Sequence, residues 1–295
     1  MKLSDFFDSQ VVIRDVDFKI THMPGSQIPN SICYVPNSNI AEIVNNNRNI
    51  VGVITIQDLV NDISDEKGVV ITENPQKSYY EFHNRLVESN ILTLNKNHSI
   101  HTSARIASTA IIGENVIIEE NVVIRHGAVI NDNTIIEKDV QIEEYAVIGA
   151  KGMQNLVIDD VIFNIKYAGG VRIGENSRIL SNAIIQRPYH PFYTEVGKNS
   201  QISVNVIVGH GVKIGNHTFI AGNCQISGNT IIGNEVTVGP SSTISDGITI
   251  ENNVEVKLGS VVVQNIKKGS IVSGNFAMSH NKNLKNFIRI QKWRK

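Results

Sequence analysis

Aliphatic residues recur at every sixth position over two long stretches of this chain, 100–148 and 196–262. Four places after each of them comes a mostly small or β-branched residue, for example Val206 and Cys224, and turn-forming pairs such as Gly215-Asn216 lie between. A period of six fits neither the roughly 3.6-residue period of a helix nor the alternation of a strand. It is typical of a hexapeptide β-helix, in which three short strands make each turn of a triangular solenoid.

Two segments interrupt this period, at 151–167 and at 186–193. A solenoid accommodates insertions as loops on one face, which is often the binding face. Because the two insertions fall in neighbouring coils, we expect them to contribute to a single site.

The chain divides into three predicted parts, and the fold class is mainly β. Residues 1–97 alternate β-rich runs with segments of helical spacing, which predicts a small α/β domain ending in the polar junction 95–99. Residues 98–277 form the parallel β-helix, and 278–295 form a short basic C-terminal helix. Because each coil packs only on its neighbours, both ends of a solenoid need a cover. We expect the N-terminal domain and the C-terminal helix to provide these covers.

Composition narrows the class of protein. The 295 residues carry a formal net charge of -1 and a pI of about 6.8, which argues against bulk nucleic-acid binding. No run of 18 apolar residues predicts a membrane span, and the first residues lack the pattern of a secretory signal. Cys33 and Cys224 form no disulfide framework, and Cys224 occupies a small core position. These features predict a cytoplasmic, reducing setting.

Three segments carry a family resemblance: 33–40, 146–153 and 206–215. With the hexads, they resemble the left-handed β-helix acyltransferases, and among these the family of UDP-3-O-acylglucosamine N-acyltransferases of lipid A assembly. The resemblance covers essentially the whole chain. It implies a left-handed solenoid, a homotrimer with active sites in clefts between neighbouring solenoids, and a uridine-binding N-terminal domain.

The first two segments imply contacts to the acceptor. Tyr34 and Asn37 match the family's uridine motif, so Tyr34 would stack on the base and Asn37 would bind its edge. Ile40 departs from the expected tyrosine, and a strand-to-helix turn without a ligand is the alternative. Gly149 and Gly152 match the glycine-containing loop that lies near the acceptor sugar.

The third segment matches the one that holds the family's catalytic histidine, which falls here on His210. His210 comes two places after the core residue Val208 and therefore points outward. An imidazole with a pKa near 6.5 accepts a proton at neutral pH, as a general base for an attacking amine must. A plain surface histidine is the alternative, because His126 has the same hexad phase. His190, between two prolines in the second insertion, is a candidate substrate contact.

The chain departs from the family pattern at three places. Gly247 stands where the family has a second histidine, so backbone N–H groups would hold the oxyanion. Ser203 stands where the family has an aspartate, and Asn205 or Ser203 is the candidate to orient His210. The C-terminal extension is shorter than the one with which the family meets acyl carrier protein.

The sequence therefore predicts an N-acyltransferase that acts on a nucleotide-linked amino sugar in the synthesis of bacterial surface glycolipid or polysaccharide. The acyl donor would be a thioester of coenzyme A or of acyl carrier protein, and the short extension favours coenzyme A with a short chain. No tightly bound cofactor and no metal are expected. One alternative is lipid A chemistry proper, with a long 3-hydroxyacyl chain, and another is a non-catalytic scaffold or binding module. A carbonic-anhydrase-like metal site is disfavoured, because His126 and His210 lie many coils apart.

Overall fold

The computed structural model describes residues 1–92, 94, 97–153, 156–158, 160–274 and 278–293, and in the last helix the side chains of 280–286, 288 and 289. Junction residues 95 and 96 and the predicted domain boundary at 277 lie outside the described residues. The side chains of Phe287 and Trp293, which the sequence places on the apolar side of the C-terminal helix, lie outside them as well.

The first part of the chain is a small α/β unit. Its five strands form one sheet in the order β1-β5-β4-β3-β2, parallel except for the β1–β5 pair. Asn37 and Asn74 cap the two helices with their side chains, as short polar residues do at helix N-termini. The strands are β1 (Val12–Arg14), β2 (Ile20–Thr21), β3 (Ser31–Val35), β4 (Ile50–Thr55) and β5 (Gly68–Ile71); the α-helices are α1 (Ser38–Asn45) and α2 (Pro75–Glu88); 3-10 helices span Leu3–Asp5 and Gln57–Asp62.

Short parallel strands follow from residue 99, two residues long in most coils. Before the first insertion they are β6 (Ser99–Ile100), β7 (Arg105–Ile106), β8 (Ile111–Ile112), β9 (Ile117–Ile118), β10 (Val123–Ile124), β11 (Val129–Ile130), β12 (Thr134–Ile136), β13 (Gln141–Ile142) and β14 (Val147–Lys151). An antiparallel hairpin in the insertion comprises β15 (Val157–Ile158) and β16 (Val161–Ile162).

The solenoid resumes after the hairpin, and α3 (His280–Trp293) follows it. Its remaining strands are β17 (Gly170–Ile173), β18 (Arg178–Ile179), β19 (Ile184–Arg187), β20 (Tyr193–Val196), β21 (Gln201–Ile202), β22 (Ile207–Val208), β23 (Lys213–Ile214), β24 (Phe219–Ile220), β25 (Gln225–Ile226), β26 (Ile231–Ile232), β27 (Thr237–Val238), β28 (Thr243–Ile244), β29 (Thr249–Ile250), β30 (Glu255–Val256), β31 (Val261–Val262) and β32 (Ile271–Val272).

These strands stack into three parallel sheets, the three faces of a prism. Face 1 runs from β6 through β9, β12, β17, β20, β23 and β26 to β29; face 2 from β7 through β10, β13, β18, β21, β24, β27 and β30 to β32; face 3 from β8 through β11, β14, β19, β22, β25 and β28 to β31. The chain is mainly β, and the parallel β-helix predicted from the period of six is confirmed.

The inward residue of each strand joins one continuous apolar stack along the axis. Val208, Ile214 and Ile220 are buried on three successive faces, and each aliphatic side chain stabilises the stack by about 1.5–3 kcal/mol as an upper estimate. Cys224 is buried as predicted, and its thiol faces the Gly239 carbonyl oxygen at 3.2 Å.

The corners between faces carry residues in the left-handed backbone region. Asn115, Asn205 and Asn223 adopt φ of 54°, 56° and 60° there. Asparagine tolerates this conformation better than other residues with a side chain, which explains why it recurs at the turns.

The cover predicted from the N-terminal domain is not found at the first coil of the solenoid. At one end, Ile100 is 43% exposed, because the N-terminal domain packs against the insertions instead. At the other end Leu284 and Ile288 of α3 are exposed, and the other apolar side chains of that helix lie outside the described ones, so the cover by α3 stays a prediction. No helix among the described residues combines the length and apolar character that crossing a membrane requires.

Candidate functional site

Both insertions leave the solenoid at one edge, the corner where face 3 turns into face 1. We call this corner the His210 edge; it also contains 209–211, 227–229 and 245–247 in successive coils. The first insertion joins β14 to β17, and the second joins β19 to β20. Backbone hydrogen bonds tie the insertions together, from the N–H of Ala168 to the carbonyl of Tyr189 (2.9 Å) and from Gly169 to Pro188 (3.1 Å). The predicted convergence of the two loops is therefore present.

The N-terminal domain packs on these loops. Ile165 and Ala168 of the first insertion are buried in the same apolar cluster as Tyr79 and Phe82 of α2. A polar tie adds to this contact, because His83 Nε2 lies 3.0 Å from the Lys166 carbonyl oxygen. The insertions thus fix the N-terminal domain beside the His210 edge.

His210 stands outside the apolar stack, half-buried, as its hexad phase predicts. Its ring lies against the backbone of the next coil: a Cβ on Gly228 would lie 2.7 Å from His210 Nε2 and 2.8 Å from Cε1. Gly152 of the first insertion also borders the ring, because a Cβ there would lie 3.7 Å from His210 Cδ2 and 2.9 Å from Gln186 Oε1. The absence of side chains at these two glycines therefore makes the room that the imidazole occupies.

Two opposing effects act on the pKa of His210. Burial lowers the pKa below its ordinary value, and the negative charge of Asp246 raises it to a smaller extent. The ring is consequently neutral at physiological pH and able to accept a proton. This is the protonation state that a general base requires.

His210 opens onto a cavity of about 230 Å³ between the solenoid and the N-terminal domain. His22, on the chain just after β2, and His190 of the second insertion form its wall with rings stacked 4.9 Å apart. Phe192 packs on His22 at 5.1 Å. The lining residues are His22, Met23, Gly25, Pro188, Tyr189, His190, Phe192, His210 and Asn229.

The histidines of this wall are neutral. Burial, with smaller contributions from His83 and His22, brings the pKa of His190 well below its ordinary value, and the Thr21 backbone opposes this shift. Burial also lowers the pKa of His22 to about 4. Neither ring nitrogen of His190 makes a hydrogen bond of normal geometry with the residues that the structure describes. His190 thus lies beside His210, in an apolar wall.

Tyr34 and Asn37 lie at the end of β3 and the start of α1. A row of aromatic rings connects Tyr34 to the cavity: Tyr34 to Tyr80 at 5.9 Å, Tyr80 to Tyr189 at 6.2 Å, and Tyr189 to His190 at 4.4 Å. Asn37 Oδ1 accepts the Ile40 N–H at 3.1 Å, so its amide NH₂ remains to face a ligand. The strand-to-helix turn and the proposed base contact are thus compatible.

The other predicted site residues fall in different places. Gly149 adopts a φ of 83° in the irregular part of β14, where a Cβ would lie 3.0 Å from Asn131 Cβ, so local backbone geometry explains this glycine. Ser203 and Asn205 lie at the corner between faces 2 and 3, where Asn205 Nδ2 donates to Asn223 Oδ1. The structure does not bring these two residues to His210.

Gly247 has a φ of 66°, and a Cβ there would meet no atom within 4 Å. The position of the family's second histidine is therefore open space beside the His210 edge. Among the described residues, no cluster of histidine, cysteine, aspartate or glutamate side chains is arranged to hold a metal ion.

Sequence reasoning missed His22, Gly228 and Asp246. Gly228 and Asp246 follow His210 at intervals of 18 residues, which is one coil each, so the repeat itself carried a signal for both. His22 has no such signal, because only the packing of the N-terminal domain on the insertions brings it to the cavity.

Comparison with known proteins finds a matching repeat family and two relatives with known names. Residues 193–228, which include His210, match the family model described as bacterial transferase hexapeptide (six repeats). A 75-residue segment is 40% identical to the UDP-3-O-acylglucosamine N-acyltransferases of Neisseria meningitidis serogroup B and of Neisseria gonorrhoeae. This segment makes up 25% of the chain and only 21% of each relative's length.

Solved structures with similar folds include two UDP-N-acetylglucosamine acyltransferases. The one from Campylobacter jejuni has a TM-score of 0.47 at 26% identity, and the match covers 60% of this chain and 72% of that one. The one from Francisella novicida has a TM-score of 0.48 at 23% identity, with 64% and 72% covered. The family match and the Neisseria relatives confirm the resemblance to hexapeptide-repeat acyltransferases inferred from the sequence.

Proposed function

We propose that this chain is an N-acyltransferase that moves an acyl group from a thioester to the amine of a nucleotide-linked amino sugar, with His210 as general base. The observation that carries the proposal is the neutral imidazole of His210, which stands outside the apolar stack and opens onto the cavity between the insertions and the N-terminal domain. The names of the Neisseria relatives support the substrate class. A cytoplasmic location is part of the same proposal.

The proposed reaction takes place at the His210 edge. The amine nitrogen attacks the thioester carbonyl carbon, and His210 takes the proton that the nitrogen must shed. The carbon–sulfur bond breaks, and the imidazolium returns the proton to the leaving thiolate. The Gly228 N–H has no acceptor among the described residues and lies beside the ring, so we assign it to the oxyanion that forms in between.

The acceptor enters from the N-terminal domain. Tyr34 and Asn37 hold the base of the nucleotide, and the aromatic row through Tyr80 and Tyr189 leads the sugar toward His210. Gly152 and His190 contact the sugar beside His210.

The donor that we propose is a coenzyme A thioester with a short acyl chain. The cavity of about 230 Å³ is smaller than the roughly 300–1,000 Å³ of pockets for drug-sized ligands, so it suits the reacting ends of two substrates. An acyl carrier protein carrying a long 3-hydroxyacyl chain, for lipid A chemistry proper, is the second candidate.

A thioester-release assay tests the proposal on a panel of uridine- and thymidine-linked amino sugars with short and long acyl donors. His210→Ala should keep the fold, since the ring lies outside the apolar stack, and should lower kcat by about two to four decades. The ascending limb of the pH profile of kcat/KM should be absent in this variant. A folded His210→Ala enzyme within threefold of wild-type kcat would end the general-base assignment. No thioester release by the wild type on the whole panel would favour a scaffold or binding module.

A further inference from the structure

The repeat stacks three residues of the His210 edge in register. His210, Gly228 and Asp246 occupy the same corner position in three successive coils. Backbone hydrogen bonds fix this register, from the Asn229 N–H to the His210 carbonyl (2.8 Å) and from the Gly247 N–H to the Gly228 carbonyl (3.0 Å). The acidic side chain is therefore held on the column that carries the histidine.

Because Gly228 has no side chain, open space remains between His210 and Asp246. The imidazole lies against the Gly228 backbone. The atoms nearest to a Cβ built on Gly228 are Nε2 and Cε1, at the outer end of the ring. Neighbouring strands are about 4.8 Å apart, so two coils separate the histidine and aspartate backbones by roughly 10 Å. The two side chains stay beyond ion-pair distance of each other, so the carboxylate acts on the ring through the space over Gly228.

The charges around the ring single out this carboxylate. Of the other titratable groups that line the cavity, His22 and His190 have lowered pKa values and Tyr189 has a raised pKa, so all three are neutral at physiological pH. Asp246 is exposed, and its side chain makes no hydrogen bond or ion pair with the residues that the structure describes. Its charge is the electrostatic influence that favours a proton on His210.

We propose that Asp246 is the positioning residue of His210: across the space over Gly228, its carboxylate stabilises the positive charge that the ring carries after taking the amine proton. This inference rests on the proposed function. The proton passes from the amine nitrogen to the ring and then to the thiolate, and the carboxylate does not take it up.

Asp246→Asn removes the charge at nearly constant shape. We expect kcat to fall by about one to two decades, less than for loss of the base itself. The ascending limb of kcat/KM should move to lower pH, because the charge that favours the imidazolium is gone. Asp246→Glu should restore the limb and most of the rate. Glu235→Gln, an exposed carboxylate at another corner of the same coil, is the matched control and should leave both unchanged.

Three outcomes would overturn the proposal: an Asp246→Asn enzyme with the rate and pH profile of the Glu235→Gln control, a lower rate with an unmoved limb, or no recovery in Asp246→Glu. NMR titration of ¹³C-labelled histidine, assigned with His210→Gln, tests the effect of the Asp246 charge on His210 without substrate. The His210 midpoint should fall in Asp246→Asn, and an unchanged midpoint contradicts this effect. A shifted midpoint together with a fully active His210→Ala enzyme would instead reject the proposed function and leave the effect of the charge standing.

Discussion

At the scale of single residues, the candidate site depends on where side chains are missing. Gly228 and Gly152 border the His210 ring, and a Cβ at either position would lie within 4 Å of it. The ring therefore occupies a slot made by backbone, which defines its orientation more strictly than a slot made by flexible side chains.

Gly228→Ala tests this slot. The backbone of Gly228 does not adopt a positive φ, and the nearest atoms to a new Cβ belong to the His210 side chain, so we expect an intact fold with a displaced imidazole. Activity should fall by at least about tenfold, because catalysis tolerates little misplacement of a general base. Gly222→Ala, at another corner of the same coil, is the control, since its nearest neighbour is Val204 Cγ2 at 3.3 Å. Equal activities and equal melting temperatures for the two variants would show that the slot does not position His210.

Tyr34→Ala tests the surface that binds the base of the nucleotide. Loss of one aromatic stack costs about 0.5–1.5 kcal/mol, so we expect the KM for the acceptor to rise by roughly 2–12-fold while the KM for the donor stays constant. Tyr34→Phe keeps the ring and loses only the hydroxyl that accepts from Gln76 Nε2 at 3.3 Å, and should behave like the wild type. Because Tyr34 also packs on Tyr79 and Tyr80, melting curves must first show that both variants fold. An unchanged acceptor KM in Tyr34→Ala places the nucleotide elsewhere.

At the scale of elements, the contact between α2, β2 and the first insertion depends on neutral histidines. His83 Nε2 faces the Lys166 carbonyl, which only accepts, so this nitrogen carries the proton. His83 Nδ1 is then free to accept the Thr21 hydroxyl at 2.6 Å. Both bonds are made by the neutral ring, and burial lowers the pKa of His83 to about 4.

This contact should weaken in acid. The pKa values of His83 and His22 are lower in the folded chain than the ordinary 6.5, so the unfolded chain takes up protons first as the pH falls. The stabilisation is complete above about pH 6.5, declines below it, and continues to be lost down to about pH 4. Denaturant unfolding at pH 7.5 and 5.0 should show this loss. His83→Gln should reduce the pH dependence, whereas the same change at exposed His126 should not. If the free energy of unfolding depended on pH identically in the two variants, the loss of stability in acid could not be assigned to His83.

The elements also show which features the sequence predicts. The inward position of Val208 and the turn at Asn115 follow from a period that acts within a few residues, and both are found in the structure. The alignment of Asp246 with His210 at the same corner was readable from the same repeat, because the two residues are two coils of 18 residues apart. The meeting of His22 with His190 was not readable, because the docking of one domain on two loops is decided by contacts far apart in the chain.

At the scale of the whole molecule, one face of the prism is more apolar than its neighbour. The strand register of face 3 aligns outward residues in a single row, whose first five members are aliphatic: Ile111, Val129, Val147, Ile184 and Ile207. The corresponding row of face 2 begins Arg105, Val123, Gln141, Arg178 and Gln201. A continuous apolar row on the outside of the solenoid indicates a surface for another protein chain.

We expect this row to lie in the interface of the homotrimer that the sequence predicts. Closed rings are the usual form of such self-association, and face 3 borders the His210 edge, so a neighbouring chain would complete the cleft in which the substrates meet. Light scattering at micromolar concentration should give a mass about three times 32.5 kDa. A stable monomer of 32.5 kDa would contradict the prediction at once.

Ile111→Glu combined with Val129→Glu separates assembly from chemistry, because these residues lie several coils away from His210. Two carboxylates in an apolar interface lose hydration without gaining partners, so the variant should become monomeric. The kcat of this variant should fall together with the mass of its assembly in solution, even though every residue of the His210 edge is intact. Arg105→Glu, in the same coil on face 2, introduces a similar charge and should leave both the trimer and its activity unchanged. If the double variant stays trimeric, face 3 is not the interface; if it becomes a fully active monomer, the site is complete within one chain, and the cavity between the insertions and the N-terminal domain suffices for the reaction.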